Sequence, residues 1–207
     1  MRSALPLIAL CLILVGCGGS GGSSTEPPPS LTVTLPSGSS IKSGTSVQAS
    51  AMIGTSPASG VTWSSSNDQI AAISASGLVT GGKTGIVTIR ATSGTLTGQL
   101  AVVVAAGDPA SIVVFSGNGQ TAAKGATLSD PLCTNVLDAA GNWIIGATVT
   151  YTVATGGGQL ATPTTIATNS GGIAISGTWT LGPNAGAQTV TASAAGAGSV
   201  TFTATAQ

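Results

Sequence analysis

The chain has 207 residues, of which only 5% are charged and none is histidine, and its basic and acidic residues balance at a formal net charge of 0. Ordinary soluble domains carry roughly 25% charged residues, so solubility here falls to Ser, Thr, Asn, Gln and Gly. The missing histidine excludes Ser-His-Asp triads, Cys-His pairs and His-bearing zinc or haem sites, and the absent basic excess leaves no electrostatic footprint for nucleic acid or anionic lipid.

The chain opens with Arg2 and an apolar run from Ala4 to Val15, broken only by Pro6. A membrane-spanning helix needs about 20 apolar residues, so this shorter run reads as a secretory signal. It ends in Leu14-Val15-Gly16-Cys17, followed by a polar Gly/Ser stretch. That ending resembles the lipobox of bacterial lipoproteins. The resemblance implies cleavage after Gly16, diacylglycerol on the Cys17 thiol, and a membrane partner engaged through the N-terminal lipid. Residues 1–16 are then a lipoprotein signal peptide, and residues 17–30 the lipidated cysteine and its tether. In the tether, GGSGGSSTEPPPS, the Gly/Ser half is a flexible coil and Pro27 to Pro29 favour polyproline II. Fully extended, it reaches roughly 40 Å. Cys11 leaves with the signal and Cys17 carries lipid, so Cys133 remains alone, without a disulfide partner and most simply half-buried on a strand.

From residue 31 onward the pattern is all-β, and no later stretch has a helical period. Leu31, Val33 and Leu35 alternate with polar residues, as do Val47, Ala49, Ala51 and Ile53, then Val87, Ile89 and Ala91, then Leu100, Val102 and Val104. Period-2 alternation predicts strands with one buried and one wet face. Between them, Val61 to Gly94 reads VTWSSSNDQIAAISASGLVTGGKTGIVTIRATSG: a Trp-bearing strand, a Ser/Asn turn, and short strands split at Ser76-Gly77. This stretch resembles the group 2 bacterial Ig-like domain in its WSSSN, GLVTG and ATSG segments. The resemblance implies an Ig-like β-sandwich over residues 31–106 and an extracytoplasmic structural or adhesive module.

Ala105 to Pro109 reads as a short hinge, because proline interrupts a continuous ladder. Beyond it, residues 107–207 contain Gly117-Asn118-Gly119-Gln120, Pro131-Leu132, Asp138-Ala139-Ala140-Gly141-Asn142, Gly156-Gly157-Gly158-Gln159-Leu160, Trp179-Thr180-Leu181-Gly182 and Gln188-Thr189-Val190-Thr191-Ala192. Together these resemble the group 1 bacterial Ig-like domain of intimin and invasin stalks. The chain departs from that pattern at Trp143-Ile144, where proline and an apolar residue are usual, and at Cys133, where an aliphatic residue is common. The expected fold is therefore all-β: two tandem Ig-like β-sandwiches after a signal peptide and flexible tether. Val61-Thr62-Trp63-Ser64 and Val149-Thr150-Tyr151-Thr152 echo each other, in keeping with one sandwich used twice.

Chemistry finds little purchase. Glu26, Asp68, Asp108, Asp130 and Asp138 are scattered among tether, turn and boundary signals, with no spacing that pairs two carboxylates across a cleft. Gly156-Gly157-Gly158 lacks the helix and the Lys-Ser/Thr of a phosphate loop. Asp138 is expected to cap its own hairpin, since Asp side chains bond backbone N–H groups two residues on; a calcium role would need further oxygens from neighbouring turns. No catalytic, cofactor or metal residue is expected. Trp63 and Trp179 fall at core positions of the two resembled families. Trp143, after a hairpin turn, is the candidate ligand or partner contact, with covering of the domain junction as its other reading. Two functions follow: a non-enzymatic lipid-anchored spacer and adhesion module of the cell envelope, on the outer membrane if the cell has one and facing the periplasm or the cell surface, or a lipoprotein that binds a cell-surface glycan or protein through its second Ig-like domain.

Overall fold

The computed structural model describes residues 28–207, so the signal segment, Cys17 and the tether up to Pro27 lie outside the described residues. No helix is present among those described, and none there is long and apolar enough to cross a membrane.

The first ten strands are β1 (Leu31–Thr34), β2 (Ser40–Lys42), β3 (Ser46–Gln48), β4 (Ser50–Ile53), β5 (Ser56–Pro57), β6 (Thr62–Ser65), β7 (Ala71–Ile73), β8 (Leu78–Gly81), β9 (Gly85–Ser93) and β10 (Leu96–Ala105). They form sheets ordered β1-β4-β5, β2-β10-β9-β6 and β3-β8-β7. The alternating positions close one core: Leu31 and Val33, Val87, Ile89 and Ala91, and Val102 and Val104 are all buried. The run Val47 to Ile53 is not one strand, however. Its first part, β3, pairs with β8, and its second, β4, pairs with β1. The chain changes sheets at Ala49, whose N–H bonds the Gly77 carbonyl, and alternation survives the change because both sheets face the same core.

Ten further strands follow: β11 (Ser111–Ser116), β12 (Gln120–Ala122), β13 (Cys133–Leu137), β14 (Thr148–Thr155), β15 (Gln159–Leu160), β16 (Thr165–Ala167), β17 (Ile173–Ile175), β18 (Trp179–Thr180), β19 (Gly186–Ala194) and β20 (Gly198–Ala206). Their sheets are β11-β13-β17, β12-β20-β19-β14-β16 and β15-β18. The second half repeats the plan of the first. After an opening strand, the chain crosses to the other sheet and lies parallel to its last strand, β2 on β10 and β12 on β20. The Ser43 N–H then bonds Ala105 O, and the Lys124 N–H bonds Gln207 O, at the same point of each half.

The second core holds Leu132, Val136, Val149, Trp179, Val190 and Phe202 around Tyr151. The Tyr151 ring lies 6.3 Å from that of Phe202 at 43°. Its hydroxyl donates to Ala174 O at 2.8 Å, so Thr134 Oγ1 donates to it at 2.9 Å. Burial pushes the phenol pKa up to about 12 despite the hydrogen bond from Thr134. β13 is buried on both faces, and Cys133 is buried there rather than half-buried.

The tryptophans divide differently from the sequence expectation. Trp179 is 1% exposed, and its indole N–H has no hydrogen-bond partner. Trp63 is only partly buried, packed at the margin of the first core beside the Gly77 turn. Gly77 sits at φ +84°, and a Cβ there would lie 2.9 Å from the Trp63 indole nitrogen, so the turn requires glycine both for its backbone angle and for the close approach. The correction at Trp63 has a simple cause. Its strand β6 is the outer strand of its sheet, so one flank of the ring has no neighbouring strand to cover it.

Candidate functional site at the domain junction

The hairpin Asp138–Asn142, which leaves β13, is the part of the second half that meets the first. Its turn is built by Asp138. Carboxylate Oδ1 accepts the N–H groups of Ala140 at 2.9 Å and of Asn142 at 2.8 Å, and Gly141, at φ +75°, completes the reversal. Asp138 therefore caps its own hairpin as the sequence suggests, but with only one of its oxygens. Oδ2 accepts the Gly107 N–H at 2.8 Å and the Asn142 Nδ2 amide at 2.8 Å. A carboxylate offers about four lone-pair positions, and all four are taken by N–H donors, which leaves no oxygen for a cation. Among the described residues, no three of His, Cys, Asp or Glu come together in a cluster that could hold one.

Asn142 carries the contact across to the first half. Its Oδ1 accepts the Thr84 N–H at 3.0 Å. Its Nδ2 reaches Gly82 O at 3.0 Å and Ser43 Oγ at 3.1 Å, besides Asp138 Oδ2. One carboxamide thus joins the turn after β2, the turn before β9 and its own hairpin. Asn142 and Asp138 are buried, as is Ser43. Burial alone would raise the Asp138 pKa, but the hydrogen bonds from Gly107 and Asn142, helped by the Ser43 hydroxyl, outweigh it and lower the value to about 2.

Two lysines frame this clasp. Lys83 Nζ donates to Ala140 O on the hairpin, and Lys42 Nζ bonds Asp108 Oδ1 at 2.9 Å. The Lys42–Asp108 pair is well exposed, a setting where ion pairs contribute about 0–1 kcal/mol, so the buried amide and carboxylate matter more. The segment read as a hinge is accordingly tied at its centre and at the next residue: Gly107 by Asp138 and Asp108 by Lys42.

Trp143 follows Asn142 directly and bridges back to Leu137. It is 57% exposed. Its base rests on Gly172, at φ +70°, where a Cβ would lie 2.5 Å from the Trp143 Cβ. Gly172 is pinned in turn: its carbonyl accepts Asn135 Nδ2 at 2.8 Å and its N–H bonds Asn169 O at 2.8 Å. Two shallow grooves run along the indole. One, of about 340 Å³, is lined by Thr84, Gly141, Asn142, Trp143, Ile145 and Ser170. The other, of about 440 Å³, lies between Trp143, Ile144 and Ile145 on one side and Thr84 with the chain from Val104 to Gly107 on the other.

Sequence reasoning singles out Trp143 and Asp138 but misses Asn142, Ser43 and Thr84. The only signal for Asn142 lies in the D-A-x-G-N motif itself, where an asparagine ends a turn that its own Asp already satisfies. Gln120 and Gln188 likewise read only as parts of motifs. Gln120 bridges Gly117 O and both backbone groups of Asp130, and buried Gln188 ties Gly182 to Asn184.

Residues 29–106 match the bacterial Ig-like domain (group 2) family. No curated protein matches the chain. Among solved structures it is similar to FdeC, an Escherichia coli adhesin, at 20% identity and a TM-score of 0.49, over 84% of this chain and 63% of that one. It is similar to the D00-D0 domain of intimin at 15% identity and a TM-score of 0.47, over 83% of this chain and 98% of that one. It is also similar to domains 1-6 of the surface layer protein SbsC at 17% identity and a TM-score of 0.41, over 85% of this chain and 27% of that one. The chain spans about a quarter of the length of the surface-layer fragments of domains 1-6 and 4-9, 27% and 26% respectively.

Proposed function

We propose that the chain is a non-enzymatic, lipid-anchored protein of the bacterial cell envelope, in which two Ig-like units act as a structural spacer and adhesion module. The observation that carries this reading is the junction. A spacer must resist bending where its units meet, and here a buried Asp–Asn pair fastens the linker and the two turns of the first unit to one hairpin of the second. Ordinary inter-domain contacts leave relative motion as the default, and a buried, mutually satisfied polar network opposes it.

Three further features support the reading. The first unit lies within the group 2 bacterial Ig-like match, and the motifs of the second resemble the group 1, intimin- and invasin-like domain. The Leu14-Val15-Gly16-Cys17 segment supplies an anchor, and acyl chains at about 0.8 kcal/mol per buried CH₂ hold a protein stably on a membrane when more than one is attached. The tether after Cys17 sets the folded units clear of the lipid.

Anchoring and placement are tested together. Globomycin, which blocks lipoprotein signal peptidase, should halt maturation, and Cys17→Ala should move the protein to the soluble fraction. Protease shaving of intact cells then reports whether the units face outward. A Cys17→Ala protein held as firmly in the membrane as the wild type would refute the lipid anchor.

A further inference from the structure

We propose that the exposed indole of Trp143 and the two grooves beside it form a binding site for an uncharged, pyranose-containing glycan that lies across the junction of the two units. This goes beyond the spacer reading and rests with it on the clasped junction.

The argument starts from the cost of the indole. Trp143 is 57% exposed; Phe115 is as open, and Ile86 and Ile145 are more so, but of these Trp143 is the aromatic that lines a groove. A large apolar side chain left open at that level marks a contact surface when it sits in a cleft and is held rigidly. Trp143 meets both conditions. It lines both grooves, and it stands on Gly172, itself locked by Asn135 and by the turn in which Asn169 Oδ1 accepts the N–H groups of Gly171 and Ile173. With its base held on Gly172, the side chain has less conformational freedom to lose on binding, which favours affinity.

The lining selects the ligand. The side chains lining either groove are uncharged; the Lys83 ammonium stands beside Gly141 at the edge of one, held by Ala140 O, so the indole rather than a charge dominates the lining. The indole face and the Ile145 side chain offer apolar area, while the hydroxyls of Thr84 and Ser170 offer hydrogen-bonding groups around it. A pyranose ring has the same division, one face of C–H bonds and a rim of hydroxyls. Volumes of about 340 and 440 Å³ suit short saccharide segments on either side of the ring. A protein partner would need about 800 Å² of complementary surface from this chain, far more than one ring and two short grooves present. Because Thr84 and Ala105 to Gly107 belong to one wall and Trp143, Ile145 and Ser170 to the other, the site exists only while the clasp holds the units together.

The test uses the full chain, purified in detergent, on an array of neutral gluco-, galacto-, manno-, xylo- and N-acetylglucosamine oligosaccharides beside sialylated and sulfated ones. Retention of neutral pyranose glycans is expected. Trp143→Ala should weaken that binding at least tenfold with no change in the melting temperature, Trp143→Phe should restore part of it, and Asn142→Ala should weaken it through the junction. Retention of charged glycans alone, of no glycan, or of the same glycans equally well by Trp143→Ala would overturn the site. So would a Trp143-dependent capture of protein without glycan. The spacer reading would survive each of these results.

Discussion

Asp138 Oδ2 and Asn142 Nδ2 lie 2.8 Å apart, and the two side chains divide the junction between them. Asp138 faces inward to its own turn and back to the linker at Gly107, whereas Asn142 faces outward to Ser43, Gly82 and Thr84 of the first unit. Each orients the other. The carboxylate accepts from the carboxamide, which fixes the amide so that its oxygen meets the Thr84 N–H and its nitrogen meets two oxygens. The hairpin therefore works as a plug whose shape is set before it meets its socket.

Asn142→Ala should cost about 1–3 kcal/mol, because it strips a buried partner from several polar groups at once. Asn142→Asp should be worse at neutral pH. It would set a second carboxylate beside that of Asp138 and present an acceptor to Gly82 O, which is itself an acceptor. Like charges at that distance drive one pKa up, so the loss should shrink as the pH falls and one of the pair takes a proton. Urea titrations of both variants at pH 7 and pH 5 check this; an Asn142→Asp protein as stable as the wild type at pH 7 would contradict it.

Asp138 also predicts an acid limit. Its carboxyl sits at about 2 in the folded chain against an ordinary value of 3.8. A depressed carboxylate contributes stability that is complete above the unfolded value and is lost as the pH falls through the folded one, so the window runs from about pH 4 down to about pH 2. At 1.36 kcal/mol for each unit the contribution is about 2 kcal/mol. Asp138→Asn should be less stable at pH 7 and lose less between pH 4 and pH 2. Equal acid sensitivity in the two proteins would show that another group governs the transition.

Trp179 and Trp63 should respond unequally to truncation. Trp179→Ala empties a fully buried site and should cost about 3–5 kcal/mol. Trp63→Ala, at a partly exposed strand at the edge of its sheet, should cost clearly less. Trp179→Phe should be the mildest change at its position, because it removes an indole N–H that is buried without a partner. Denaturant unfolding of the three variants orders them; a larger loss at Trp63 than at Trp179 would contradict the packing described.

The strands are legible in the sequence because burial at every second residue leaves a mark in composition. Val87, Ile89 and Ala91 show it, and they lie where alternation puts them, facing the first core. The sheet change at Ala49 leaves no mark, since alternation continues through it when both sheets face one core. Trp63 reads as central because a large aromatic at a family position usually is, and the exposure of an edge strand is a property of sheet order rather than of local sequence. Asp138 is legible because its bonds to Ala140 and Asn142 are local. Asn142 is not, because its partners Ser43 and Thr84 stand 99 and 58 residues away and periodicity carries no information at that range.

The central claim is that the two units are held in one orientation by the Asp138–Asn142 clasp. The most direct test places spin labels at two exposed turn positions, Ser37 in the first unit and Ala195 in the second, and measures the distance between them by pulsed electron resonance. A single narrow distribution in the wild-type chain, broadened in Asn142→Ala, is the predicted result. A broad distribution in the wild type, or one that Asn142→Ala leaves unchanged, would contradict it.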